Sequence, residues 1–490
     1  MLFRILGDVR TLNFSPKINR STIQTRNSQP ATRNLLSMNL TVKNLLPLLI
    51  FCGVSQFGYT QQRVEMTLDK AVEYALNNSD DIKIAQLNIE DAEQRIFETR
   101  ATGLPQINAD ASFNRYLQRP VSVLPDAFVD ASRDAEGNLP DGFSRQISFV
   151  LKNQFQGSIN LETMVFDGSF FTGLKAASLY RNLAQDELSA KQQSIKNQVI
   201  TAYLPIILLT ENIKILDKNI DNAEKLKNET SALYQEGFVE QLDVDRLELT
   251  VANLKVEREN IDRQIATTMN NFKQLMNFPI ETELVIEDNL GRVVPIPATN
   301  DLTGPIDYYK RREYKVAETG IQLNELNERY VKNLYLPSLS LNLSYNQSFQ
   351  GDKLFNDPNS FWAPTAIVGL SLRAPIFDGF GKKAKIQRAK LTTEIAKVKQ
   401  QQFARSIDTE IANARIDYQN ALDREQSQKQ NMALAERIYA TAQVKYKEGV
   451  GSSLEISQAE QSLFSAQRNH LQALFDLLIA KLSLDVALGN

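Results

Sequence analysis

The chain has 490 residues, 42% hydrophobic and 23% charged, a balance that looks globular rather than a set of lipid-buried helices. A net charge of −3, a pI near 5.7 and the lack of a large basic patch exclude nucleic acid as a partner. The single cysteine, Cys52, excludes a disulfide framework. No run of 18 or more apolar residues argues for a spanning helix, although a β-barrel span would leave no such run.

Lys43 and the apolar run Leu45 to Cys52 follow Met38, so Met38 to Thr60 has the regions of a secretory signal peptide. Cleavage after Thr60 would free Gln61. Cys52 could instead be a lipidation site, but Phe51 before it is bulky. From Thr67 to Thr102, Leu68, Ala71, Val72, Ala75, Leu87, Ile89, Ala92 and Ile96 recur at helical spacing and predict one amphipathic helix. Gly103-Leu104-Pro105 stops it. The period then changes: Ile107, Ala109, Ala111 and Phe113 alternate with Gln106, Asn108, Asp110 and Ser112, a strand with one apolar and one polar face. A Pro-, Asp-, Gly- and Asn-rich loop from Gln118 to Ser144 leads to a second alternating strand, Ser158 to Val165.

Phe166-Asp167-Gly168 opens a stretch almost free of Gly and Pro that runs to Tyr234-Gln235-Glu236-Gly237. It predicts a helical rod of about 100 Å, with Pro205 expected to kink or break it. Gln241 to Asn277 predicts the returning helix. The same plan then recurs. Phe377-Asp378-Gly379 and Tyr446-Lys447-Glu448-Gly449 repeat the marks at offsets of 211 (378 − 167) and 212 (446 − 234) residues. Leu336-Pro337 matches Leu104-Pro105 after a helix from Ile306 to Tyr335. A third strand alternates Leu339, Leu341, Leu343 and Tyr345 with Ser338, Ser340, Asn342 and Ser344. A loop with Phe361 and Trp362 precedes a fourth, with Val368, Leu370, Leu372, Ala374 and Ile376 on one face. Along the second rod, Leu391, Ile395, Val398, Ile407, Ile411, Ala414, Tyr418 and Leu422 form a coiled-coil-like stripe. The last helix spans Leu454 to Leu488. The predicted organisation is a presequence and signal peptide (1–60), a first repeat (61–277), a connector without helical period (278–305) and a second repeat (306–490).

Four two-faced strands of about 10 residues fit tilted bilayer-spanning strands. They cannot close a barrel alone, and lipid does not tolerate open edges. Two chains would give eight strands, an interior filled by side chains; three give twelve and leave room for a channel. Alternation alone also fits a soluble sheet joined to coiled coils, which leaves a structural or adaptor-like coiled-coil protein of the cell envelope as the alternative. The signal sequence and the aromatics Tyr116, Phe155, Tyr345, Phe361 and Trp362, expected near strand ends, favour the membrane. His470 is expected to be solvated, and no phosphate loop, nucleophile elbow or metal set stands out, so neither catalysis nor a cofactor is expected.

The duplicated helix–strand–strand–helix–helix plan, the strand starts at Pro105 and Pro337, the strand exits at Asp167-Gly168 and Asp378-Gly379 and the Tyr-x-x-Gly turns resemble the TolC-like outer-membrane efflux proteins. The resemblance covers Val64 to Asn490. It implies a mainly α fold with a membrane β-barrel portion: a homotrimer whose 12-stranded barrel crosses the outer membrane of a Gram-negative bacterium above a periplasmic α-barrel. It further implies a passive exit duct docked to a periplasmic adaptor protein and an inner-membrane transporter. Tyr234, Gly237, Tyr446, Gly449 and Gly451 then mark the periplasmic tip. Gly449 and Gly451 are expected to take positive φ, and Ser452-x-x-Glu455 has capping-box form. Family positions for acidic rings fall on Glu455 and Gln458, so one ring is acidic and the other is not. A commonly basic position is Gly451. Asp243, nine residues after Tyr234, could add a ring. Threefold carboxylates would favour cations, against plainer roles for Glu455 as a cap and Asp243 at a helix N-terminus. Cargo stays open among drugs, metal ions, glycoconjugates and polypeptides; the few scattered Met residues disfavour copper or silver.

Overall fold

The computed structural model describes residues 63–288, 304–353, 358 and 360–490. The signal peptide, Cys52 and residues 289–303 of the connector lie outside the described residues. The first repeat comprises β1 (Val64–Met66), α1 (Leu68–Asn78), α2 (Asp80–Ala101), β2 (Gln106–Arg115), β5 (Asn153–Asp167), α4 (Gly168–Gln235) and α5 (Gln241–Leu275). The loop between β2 and β5 folds as a small hairpin of β3 (Ser122–Val123) and β4 (Gln146–Ile147) around α3 (Asp126–Asp130). After β6 (Leu284–Ile286) and a 3-10 turn (Tyr308–Lys310) come α6 (Arg312–Asn333), β7 (Ser338–Gly351), β8 (Phe361–Arg373), α7 (Gly381–Lys447) and α8 (Ser453–Leu488).

The first helix is two helices, not one. Ser79 is extended (φ −62°, ψ 132°), and its N–H closes α1 on the Ala75 carbonyl. The apolar period runs across this break because both helices bury the same side, Ala71, Ala75, Ile82 and Ala92. Pro205 breaks nothing: α4 continues through it, and Thr201, whose carbonyl loses its partner there, is exposed. By composition α4 contains a stretch apolar enough to cross a membrane. Its Val199, Tyr203, Leu204, Ile206 and Ile207 are instead buried in a core with Phe272, Met276 and Leu478. The connector also contains a strand the sequence did not signal. β6 pairs parallel with β1, Val64 opposite Leu284, and Lys273 Nζ donates to the Ile280 and Thr282 carbonyls at 3.0 and 2.7 Å.

Four antiparallel strands make one sheet in the order β2-β5-β7-β8. Phe361 and Trp362 open β8 rather than lying in a loop, Tyr345 is mid-strand, and β8 ends at Arg373, short of Ala374 and Ile376. The helices flanking the sheet run α2, α4, α6, α7 side by side, the same lateral order as the strands. The stripe on α7 divides. Ile407, Ile411, Ala414 and Tyr418 are buried with Leu484 and Ala487 of α8, whereas Leu391, Ile395 and Val398 are exposed.

The two strand exits differ. Asp167 caps α4, accepting from Ser169 N at 2.7 Å, and a Cβ added at Gly168 would stand 2.3 Å from Leu336 Cδ1 and 2.8 Å from Leu336 Cβ. The leucine of the second copy's Leu-Pro pair therefore seats on the glycine of the first copy's exit. At the second exit Gly379 (φ +64°) and Phe380 (φ +67°) are both left-handed, nothing approaches Gly379, and α7 starts only at Gly381. Gly168→Ala should overpack the first junction and lower stability by about 1–3 kcal/mol. Gly379→Ala, in open space, should show only backbone strain. Thermal unfolding midpoints of the two variants compare them directly.

Candidate functional site

Two regions carry functional geometry. In the sheet, pairing register places side chains in rows. On one face Ile107, Leu161, Leu343 and Val368 lie across from one another, followed by Ala109, Ile159, Tyr345 and Ala366. Phe113, Phe155, Phe349 and Trp362 form an aromatic row toward the loop end, with Trp362 at 5.0 Å from Phe349 and 6.2 Å from Phe155. From Phe349 down to Leu339 this largely apolar face, interrupted by Gln347, runs ten residue steps along β7. At about 3.3 Å per residue and a tilt of about 40° that is a band of about 25 Å, the height of a bilayer's apolar layer. The opposite face reads Gln106, Glu162, Asn342 and Gly369 in one row, then Asn108, Asn160, Ser344 and the single apolar Ile367, then Asp110, Ser158, Asn346 and Thr365. Asn160 Nδ2 donates to Asp110 at 3.1 Å and Ser344 Oγ donates to Asn160 at 2.6 Å. One side suits hydrocarbon and the other water.

At the far end of the rods, both Tyr-x-x-Gly turns close with the same device. Gly237 (φ +78°) donates to the Tyr234 carbonyl at 2.9 Å and Phe238 to the Leu233 carbonyl at 2.9 Å. Gly449 (φ +74°) donates to the Tyr446 carbonyl at 3.1 Å and Val450 to the Lys445 carbonyl at 3.0 Å. Only glycine takes this left-handed position without strain. Gly451 is not left-handed, contrary to expectation. Its lack of a side chain serves close packing, since a Cβ there would stand 3.0 Å from Tyr446 N.

The two tyrosines of the repeated motif have different surroundings. Tyr234 is exposed, whereas Tyr446 is buried with its hydroxyl 3.0 Å from Thr230 Oγ1, tying α7 to α4. Asp243 shares a capping box with Glu240 and accepts from Ser453 Oγ at the start of α8, while Arg246 approaches it to 3.9 Å. Ser452 accepts from Glu455 N at 3.2 Å, but the Glu455 carboxylate turns to Lys445 Nζ at 3.2 Å instead of completing the box. Gln458 is exposed. Phe238 and Val450 project from the turns, each 77% exposed.

His470 is not solvated: it is part-buried, with Nε2 3.2 Å from Glu425 Oε1. Sequence reading also missed Glu460, which lies on the buried side of α8 between Ile456 and Leu463. Its spacing was the available signal, a carboxylate set into an apolar stripe. Among the described residues no cluster of three His, Cys, Asp or Glu side chains is disposed to hold a metal ion.

A membrane-height ribbon, largely polar on one side, joined to duplicated rods about 100 Å long with glycine-capped tips defines an envelope-crossing export protein. The profile of the outer membrane efflux protein family matches residues 71–277 and 311–490, and the chain belongs to that family. It is thus an outer-membrane efflux channel protein that extends into the periplasm and performs no catalysis. Among similar proteins, the pyoverdine export outer membrane protein OpmQ of Pseudomonas putida is 23% identical over 440 residues, 86% of each chain. The toluene efflux pump outer membrane protein TtgC of Pseudomonas putida is 22% identical over 442 residues, 89% of this chain and 86% of that one. Among solved structures, the outer membrane protein VceC of Vibrio cholerae superposes with TM-score 0.62 at 18% identity, covering 86% of this chain and 96% of its own. The open state of the Neisseria gonorrhoeae MtrE outer membrane channel gives 0.64 at 20% identity, covering 86% and 89%.

Tyr446→Phe should leave Thr230 Oγ1 buried without a partner and cost about 1–3 kcal/mol of packing at the tip. Tyr234→Phe, at an exposed position, should be neutral. Denaturant midpoints and the rate of proteolytic nicking at the turns distinguish the two.

Proposed function

We propose that three copies assemble head to tail into one continuous duct across the outer membrane and periplasm. One observation carries this reading. Strands and their flanking helices share a single lateral order, and among the described residues no further strand or flanking helix continues it beyond β2 with α2 on one side or β8 with α7 on the other. Within the chain the first strand exit is enclosed between the ends of α2 and α6, with Phe170 against Gly103 and Leu336 against Gly168. The second exit has an open flank, and Ile376 and Phe377 are exposed there. The next chain's β2 and α2, with the exposed Phe97 and Ile107, supply what is missing. Such a heterologous contact closes a ring when the rotation fits. Twelve strands leave an aqueous lumen lined by the Asn, Ser and Gln face.

In this assembly the two repeats, 61–277 and 306–490, alternate around the ring, and β6 of the connector lies beside β1. Phe238 and Val450, beside Tyr234, Gly237, Tyr446, Gly449 and Gly451, form an apolar docking surface for a periplasmic adaptor that links the duct to an inner-membrane transporter. Asp243 and Glu455, each beside a cation (Arg246 and Lys445), repeat threefold at the narrow end as its carboxylates, with Gln458 as the uncharged neighbouring position. The relatives' names concern pyoverdine and toluene. We therefore infer small organic molecules as cargo.

Purified protein should run as a heat-sensitive trimer on gels and conduct ions in planar bilayers. Monomeric, non-conducting protein would count against the duct. Glu455→Gln combined with Asp243→Asn should shift the reversal potential in a salt gradient toward lower cation preference.

A further inference from the structure

Glu460 is the only buried acidic side chain among the described residues. It is 1% exposed, and neither carboxylate oxygen has a hydrogen-bond partner. It lies in α8 beside Ala459, within an apolar cluster drawn from all four rods: Leu226 of α4, Leu247 of α5, Tyr439 and Tyr446 of α7, and Ile456 and Leu463 of α8. Tyr439 and Ser457 carry buried hydroxyls without a partner, and burial, with Glu460 nearby, pushes the Tyr439 phenol up to about 12. The equivalent residue of the first copy, Glu248 (460 − 212 = 248), is exposed. Burial of this carboxylate is therefore peculiar to the second hairpin and is not a property of the repeat.

The charged groups at this height do not compensate it. On α4, Glu224 pairs with Lys255 of α5 at 2.6 Å beside Lys227, and Glu229 pairs with Lys447 of α7 at 3.5 Å. On α5, Arg246 turns to Asp243 and Glu248 is exposed. Glu436 and Arg437 of α7 are exposed, and Glu455 of α8 turns to Lys445. Among the described residues no cation pairs with Glu460, so a negative charge there is compatible only with an arrangement that admits water.

We propose that protonated Glu460 is the latch that holds the α7–α8 hairpin against the α4–α5 hairpin near the tip, and that loss of its proton to solvent releases them. Burial raises its carboxyl from 4.5 to about 7. A raised acid stabilises the packed arrangement fully below the ordinary value and loses that effect as pH climbs to the raised one. The ratio of separated to packed hairpins should therefore rise about tenfold per pH unit between about 4.5 and 7, then level off. Acid tightens the tip.

Spin labels at the exposed Ala252 of α5 and Ser462 of α8 read the separation in the full-length assembled protein. Wild type should lengthen or broaden its distance distribution between pH 5 and pH 7 and change little up to pH 8. Glu460→Gln should stay packed throughout, and Glu248→Gln should follow wild type. A wild-type distance that ignores pH, or a Glu460→Gln variant that tracks wild type, overturns the latch. If that variant does not assemble, wild-type infrared spectra serve: a buried protonated carboxyl band at pH 6 supports the latch and its absence contradicts it. Conductance rests on the duct reading of the preceding subsection. No conductance at any pH counts against the duct, and the distances then decide the latch.

Discussion

Hydrocarbon cannot satisfy a backbone N–H or C=O, so a sheet at membrane depth must have no open edge. A single copy of this chain violates that condition twice, at β2 and at β8. The flanking helices follow the same order: α2, α4, α6 and α7 pack side by side in the sequence of their strands, and Phe97 and Ile107 at one flank and Ile376 and Phe377 at the other are exposed. The sheet's unpaired edges and the uncovered face of α7 are thus one deficit seen at two heights. The repeat accounts for it, because two equivalent halves supply an inner junction that is covered and an outer one that is not.

The same repeat lets the two halves diverge where symmetry is not needed. Tyr234 and Tyr446 occupy matching turns, yet one is exposed and the other is bonded to Thr230. Glu248 and Glu460 occupy matching helical positions, yet one is exposed and the other is enclosed. The second hairpin thus carries the two buried groups, Tyr446 and Glu460, whose counterparts in the first are exposed.

Much of this was legible because long-range order was written as periodicity. The strands could be read from alternation in Ile107 to Phe113 and in Leu339 to Tyr345, the rods from the spacing between Gly168 and Gly237, and the plan from the 211-residue offset of the FDG marks. What failed was local or tertiary. The period of α1 and α2 does not reveal Ser79, because a break that leaves the buried side in phase leaves no trace in it. Pro205 suggested a kink or a break; α4 is unbroken there, and Thr201, whose carbonyl loses its partner, is an exposed residue. Strand β6 is three residues long and defined by its pairing with β1, which no local signal encodes. Gly451 was misjudged because glycine serves either left-handed backbone or close approach, and only packing distinguishes them. Glu460 was passed over because a lone carboxylate on a long helix usually faces solvent.

Closure between copies is the claim on which the rest depends. It can be tested by placing one cysteine on β2 at Asn108 and one on β8 at Thr365, both on the polar face, and oxidising the assembled protein in outer-membrane vesicles. Head-to-tail closure predicts covalent species of two and three chains and nothing larger. Links only within a chain, or a series that stops at two, would contradict it.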